Sequence, residues 1–150
     1  MKTRVPPPIY LILFGFLMWL VARSPYAYIV DIPFRKTAAA IIFATAIVID
    51  VVALRQFKAS STTFSPLRPD KSSALVTHGV YQYTRNPMYV GLLLMLCAWA
   101  VVLESVSNTL LLAGFVITIT LMQIRPEEEA LQSLFPGEFD EYRRKVRRWI

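Results

Sequence analysis

The chain has one cysteine and one histidine in 150 residues. Cys97 alone can close no internal disulfide. Together with His78 it makes too small a ligand set for a zinc or iron–sulfur centre, so no metal is expected. Acidic residues are also in the minority, ten against sixteen basic ones, for a net charge of +6. A basic excess of that size can signal nucleic-acid binding. Here the lysines and arginines flank apolar blocks, as they do at membrane surfaces, and nucleic acid is not an expected partner. There is no internal repeat and no low-complexity tract. At this length the chain is read as a single domain, residues 1–150.

What is abundant is hydrocarbon. Apolar residues make up 55% of the chain and mean hydropathy is +0.48. They come in blocks instead of the alternation of a soluble amphipathic element, which is a membrane profile. Four spans are expected, at residues 8–22, 37–54, 88–103 and 109–124. Each should be helical, because lone strands would leave backbone groups unpaired in lipid. The fold class is therefore an all-α integral membrane protein with about four transmembrane helices and a C-terminal cytosolic helix. Several spans are shorter than the roughly 20 residues a perpendicular helix needs, implying local thinning or extension into headgroups. The first follows Lys2 and Arg4 like a signal peptide, but Arg23-Ser24-Pro25-Tyr26 is a poor cleavage site, so it reads as a retained helix. With four spans, all the basic residues except Arg23, Arg35 and Lys36 fall on one side, which should be cytoplasmic. Residues 58–70, rich in Ser, Thr and Pro, read as an irregular loop. Pro126 fits the first turn of a soluble helix running to about Arg148, with Glu127, Glu128 and Glu129 near its positive end.

The link at 104–108 is short enough to force the third and fourth spans into an antiparallel hairpin. Each span rises about 24 Å over its roughly 16 residues, so the inner ends meet as well. That returns Glu127 and Glu128 to the segment Gly79-Val80-Tyr81-Gln82-Tyr83-Thr84-Arg85-Asn86-Pro87-Met88-Tyr89-Val90-Gly91. An arginine, two carboxylates, a glycine turn and tyrosines suit S-adenosylmethionine. A guanidinium fork matches a carboxylate, a glutamate takes an ammonium or a ribose diol, and a glycine allows close backbone approach. Tyrosine faces support a sulfonium or a base. These residue types also accommodate a nucleotide.

The string Leu75-Val76-Thr77-His78-Gly79-Val80-Tyr81, followed by Arg85-Asn86-Pro87-Met88-Tyr89-Val90-Gly91, resembles the signature of the isoprenylcysteine carboxyl methyltransferase and phospholipid methyltransferase superfamily, G-x-Y-x-x-x-R-H/N-P-x-Y-x-G. Glu127-Glu128 with Leu131, Phe135, Phe139 and Tyr142 is similar to its second motif, and Arg147-Arg148-Trp149-Ile150 to the endings of bacterial members. The resemblance covers residues 75–150. Asn86 stands where eukaryotic members carry histidine, Pro136 where glycine is usual, and Phe139 where tyrosine is usual. The resemblance implies methyl transfer from S-adenosylmethionine at the cytosolic face of a membrane, the bacterial inner membrane for this form of the motif. It implies a cofactor site from His78, Gly79, Val80, Tyr81, Arg85, Asn86, Pro87, Tyr89, Gly91, Glu127 and Glu128, with Arg85, Glu128 and Tyr89 as catalytic candidates. Membrane lipids are the expected partners and the acceptor is lipophilic: an isoprenylcysteine-like carboxylate, a phospholipid amine, or a thiol. The rival class is a non-catalytic helper subunit retaining the fold.

Each residue also has a plainer reading. The glutamates alone are ordinary helix-start charges, Arg85 a membrane-surface anchor, and Tyr83 a belt tyrosine. Glu129 reads as a solvated first-turn residue. Asp50, an acid inside an apolar span, is either functional or paired with nearby Arg55. Cys97 and Trp99 read as packing residues, Gly91 as helix packing or cofactor approach, and Trp149 as a headgroup anchor.

Overall fold

The computed structural model describes residues 5–59 and 75–150. The loop expected at 58–70 lies outside the described residues from position 60 on, as do Lys2, Arg4, Arg68 and Lys71. The described chain is helical: α1 (Pro7–Ala22), α2 (Arg35–Ala59), α3 (Pro87–Leu103), α4 (Asn108–Ile119), α5 (Arg125–Leu134) and α6 (Pro136–Lys145). A short 3₁₀ turn, Gly79–Gln82, precedes α3. Among the described residues the only β pairing is an isolated bridge between Ile29 and Ser105. Two of the described helical stretches are long and apolar enough to cross a membrane, Arg35–Ala59 and Asn108–Leu134; Pro7–Ala22 and Pro87–Leu103 are apolar but shorter.

The expected C-terminal helix is corrected in two ways. No new helix begins at Pro126. Instead α4 runs through a π-helical turn, Thr120–Ile124, directly into α5. Proline has no N–H for the carbonyl four residues back, and its ring crowds that carbonyl. A widened turn relieves both problems, and the Arg125 N–H reaches Thr120 five residues back. The glutamates therefore sit inside a continuous helix, and the helix-start reading of their charge falls away. The second correction is a break before Arg148. Phe135 precedes a proline, which disfavours helical geometry; its φ of −132° and ψ of 58° separate α5 from α6.

Helix α3 is the central element. On one side α2 lies along it, with Ala39, Ala46 and Ala53 buried at every seventh position. Against them α3 buries Gly91 and Ala98, small residues that let two helices approach closely. On the other side Tyr89 and Leu96 join Phe14 and Met18 of α1, Phe115 and Ile119 of α4, and Ile124 in a buried core. Phe14 meets Phe115 edge to face at 5.5 Å between ring centres. Outward, large apolar residues stand bare, with Leu110 81% and Ile12 71% exposed. Apolar helix surface on this scale calls for hydrocarbon around it.

At one end the α1–α2 connection is stitched to the α3–α4 link. Val30 N–H donates to Glu104 O at 2.9 Å and Val106 N–H to Tyr28 O at 3.0 Å, while Arg35 forms an ion pair with Glu104. At the opposite end a second core joins Ala53 of α2, Val76 and Tyr81 of the motif segment, and Phe139, Tyr142 and Val146 at the C-terminus. That core fixes the loop before α3 against α5 and α6.

Candidate functional site

The site is built where the 3₁₀ turn, the start of α3, helix α5 and the C-terminal tail converge. Asn86 precedes α3 and Pro87 occupies its first turn, a position where the missing N–H costs nothing. Tyr89, one turn in, donates its hydroxyl proton to Glu127 Oε1 at 2.6 Å. Adjacent helical residues project about 100° apart, so Glu128 faces elsewhere. Its Oε1 accepts from Arg85 Nη2 at 2.7 Å and Nε at 3.2 Å. Arg148 approaches the same carboxylate from the tail, Nη2 to Oε2 at 2.6 Å and Nε to Oε1 at 3.1 Å.

Arg85 is thus a bracket. Besides Glu128, its Nη1 donates to Val146 O at 2.7 Å and its backbone N–H to Arg147 O at 3.0 Å, and the side chain is only 8% exposed. Asn86 Nδ2 donates to Arg148 O at 2.8 Å, and Thr84 Oγ1 donates to the same carbonyl. The expectation was a guanidinium turned to a ligand; the structure turns it to Glu128 and the tail backbone. Burial opposes the charge on Glu128, but hydrogen bonds from Arg148 and Arg85 outweigh it and hold the carboxyl below the usual glutamate range. The bond to Glu128 raises Arg148 in turn.

The glycine turn is also placed. Gly79 has φ of +65°, where a side chain would strain the backbone. A Cβ there would collide with the Gln56 amide of α2, whose Oε1 accepts from Val80 N–H at 3.0 Å. Tyr81 is buried, and its Oη has no hydrogen-bond partner among the described residues. Burial pushes its phenol above the ordinary range and the Glu127 charge adds to that. Tyr142 is raised as well, first by burial, and donates to Tyr81 O at 2.6 Å. Both phenols stay protonated, so they act as donors. His78 is exposed and stands at the edge of the cluster. Gly91 is buried against α2, where a Cβ would collide with the Asp50 carboxylate. Among the described residues no group of His, Cys, Asp and Glu could hold a metal.

Three readings change with the geometry, and one residue was not read at all. Asp50 has no ion pair with Arg55 and lies instead against Gly91. Trp149 packs on the helical core and donates to Thr120 Oγ1 at 3.1 Å, which is inconsistent with a headgroup anchor. Arg148, one of the basic residues read as lining a membrane surface, belongs to the Glu128 bracket. Gln56 was missed altogether. Its only signal is the spacing Asp50, Ala53, Gln56, an i, i+3, i+6 stripe facing the motif. Tyr83 is exposed and Glu129 likewise.

Fold and site together define a helical protein of membrane character with a carboxylate, arginine and tyrosine cluster gathered at one end of its bundle. The chain belongs to the phospholipid methyltransferase family, whose pattern it matches over residues 34–138. It is 34% identical over 77 residues to the protein-S-isoprenylcysteine O-methyltransferase of Schizosaccharomyces pombe. The match covers 51% of this chain but 33% of that protein. It is also 41% identical over 63 residues to an uncharacterized protein of Haemophilus influenzae, 42% of this chain and 100% of the relative. The chain thus spans about a third of the fission-yeast enzyme.

Proposed function

We propose that this protein transfers a methyl group from S-adenosylmethionine to a lipophilic acceptor at a membrane surface, with four helical spans and the polar cluster facing the cytoplasm. The observation that carries this reading is the pairing of Tyr89 with Glu127 at 2.6 Å, beside Tyr81 and the Gly79 turn. The two halves of the motif thereby form one cluster next to apolar helix surface.

The donor set fits the cofactor. Glu127 offers a carboxylate for an ammonium or a ribose diol, and Tyr81 holds a buried hydroxyl without a partner among the described residues. Residues 78–81 present backbone at a glycine that tolerates close approach. Arg85, Asn86, Pro87 and Glu128 position that loop, joining it to the tail, while Tyr89 orients Glu127. The cofactor would supply an electrophilic methyl on a sulfonium. The chain's own contribution is placement of cofactor and acceptor and electrostatic support, with no covalent intermediate. Apolar walls at the rim admit a lipid-embedded acceptor and exclude water.

Calorimetry on detergent-purified protein tests this directly. Wild type is expected to bind S-adenosylmethionine saturably, and Glu127→Gln to lose at least about tenfold in affinity, as one charge-assisted bond would account for. Glu127→Gln leaves the Glu128 bracket intact, so folding is preserved. A well-folded wild type that binds none would overturn the enzyme reading in favour of a helper subunit.

A further inference from the structure

Helices α1 and α2 both pack on α3, and the space between them is an apolar groove of about 570 Å³. Phe16 and Trp19 of α1, Phe43 of α2, and Met95 and Trp99 of α3 line it. Trp99 Nε1 donates to Gly15 O at 3.0 Å, so the polar atom of that ring is satisfied and the wall presents hydrocarbon. Phe16 stacks on Trp19 at 5.8 Å between ring centres, yet Phe16 is 55% exposed and Phe43 48%. Met95 and Trp99 lie six and ten residues beyond Tyr89, about 9 and 15 Å along α3. The groove therefore stands clear of the Tyr89–Glu127 pair, toward the stitched helix connections.

Its rim at that end is cationic. Arg23 places its guanidinium 4.4 Å from the centre of the Trp19 ring and is exposed. Lys36, also exposed, precedes Phe43 by seven residues, so it shares that face of α2 two turns nearer the end. Arg35 is engaged with Glu104, and Asp31 is an exposed acid in the same connection. Tyr26 and Tyr28, 92% and 66% exposed, follow Arg23; tyrosine is a residue of the headgroup level. An apolar slot thus runs up to a headgroup-level rim that carries Arg23 and Lys36.

We propose that this groove holds an acyl chain of an anionic phospholipid whose phosphate is met by Arg23 and Lys36, a lipid site at the opposite end of the bundle from the polar cluster. A helix about 10 Å across displaces roughly 420 Å³ per turn. The groove has room for little more than one turn, too little to seat a helix of a second copy. A flexible hydrocarbon chain follows a slot between three helices, and its headgroup supplies the charge that complements the rim. A zwitterionic lipid fills the slot equally well but sets a cationic group beside the same two side chains, so the rim selects an anionic head. The bound chain fills the gap between α1 and α2 and thereby steadies both against α3. None of this depends on methyl transfer.

The test is lipid retention by native mass spectrometry on the full chain in detergent, with phosphatidylglycerol and phosphatidylcholine of identical acyl chains as probes. Wild type is expected to retain phosphatidylglycerol over phosphatidylcholine by at least about fivefold, the worth of one basic residue at a lipid surface. Replacing both cations, Arg23→Gln with Lys36→Gln, should bring the preference to within about twofold; both side chains are exposed, so folding is preserved. Gly15→Leu should fill the slot and lower retention of both lipids, since a Cβ there meets Leu96 at an ordinary 3.9 Å. Equal retention of the two lipids by wild type overturns the proposal. So does a preference that survives loss of both cations, which would assign the lipid to basic residues elsewhere. A wild-type dimer abolished by Gly15→Leu would give the groove to a second copy and overturn it as well.

Discussion

Glu127 and Glu128 are neighbours of identical chemistry, and the helix sends them to different tasks. Glu127 takes the Tyr89 hydroxyl, whereas Glu128 lies between two arginines with its side chain only 14% exposed. Removing one member of a covered charge network leaves the others unpaired. Glu128→Gln is therefore expected to cost about 3 kcal/mol of stability at pH 7, read by denaturant titration in detergent. The pH dependence has a definite sign. The folded-state pKa of Glu128 is lowered, so its contribution is complete above the unfolded value. It declines as pH falls through the folded one. The gap between wild type and Glu128→Gln should then narrow in acid; a gap independent of pH would show that the lost stability is not ionic. That these two carboxylates belong to the site was legible from their spacing to the motif. Their division of labour was not, because it depends on where Arg148 and Tyr89 arrive in space.

At the level of elements, the prolines decide the C-terminal architecture. Pro126 is absorbed by a π turn inside a continuous helix, and Pro136 ends α5 one residue earlier at Phe135. Both are visible in the sequence, but whether a proline kinks, widens or stops a helix depends on what packs around it. Here Gln123 and Ile124 are buried in the widened turn, which keeps the helix going. The tail beyond α6 acts as a strap. Its carbonyls at Val146, Arg147 and Arg148 accept from Arg85 and Asn86, and Trp149 closes the core beneath. Ending the chain after Lys145 removes three such bonds, each about 1 kcal/mol net. A loss of at least about 3 kcal/mol and faster proteolysis near residues 79–86 are expected; unchanged proteolysis would show that α6 alone holds the loop.

At the scale of the molecule, both helix connections at the far end are stitched together, and every candidate site residue except Gly91 lies at or near the opposite end. Four spans would set those ends on opposite membrane faces. In a Cys97→Ala background, Tyr26→Cys and Tyr83→Cys should report this, since both positions are well exposed, 92% and 78%. A membrane-impermeant maleimide is expected to label Tyr26→Cys on intact cells, and Tyr83→Cys only after the membrane is opened. The reverse pattern would place the cluster outside the cytoplasm. By itself the sequence determined the helical class, the apolar blocks and the two motif segments, since blockwise hydropathy and motif spacing are local, linear properties. Tertiary structure alone decided that Arg85 braces the tail and that one unbroken helix carries the glutamates. It alone also set Asp50 and Gln56 against the motif glycines. Those outcomes depend on helix phase and on contacts between residues far apart in the chain, which no local pattern records.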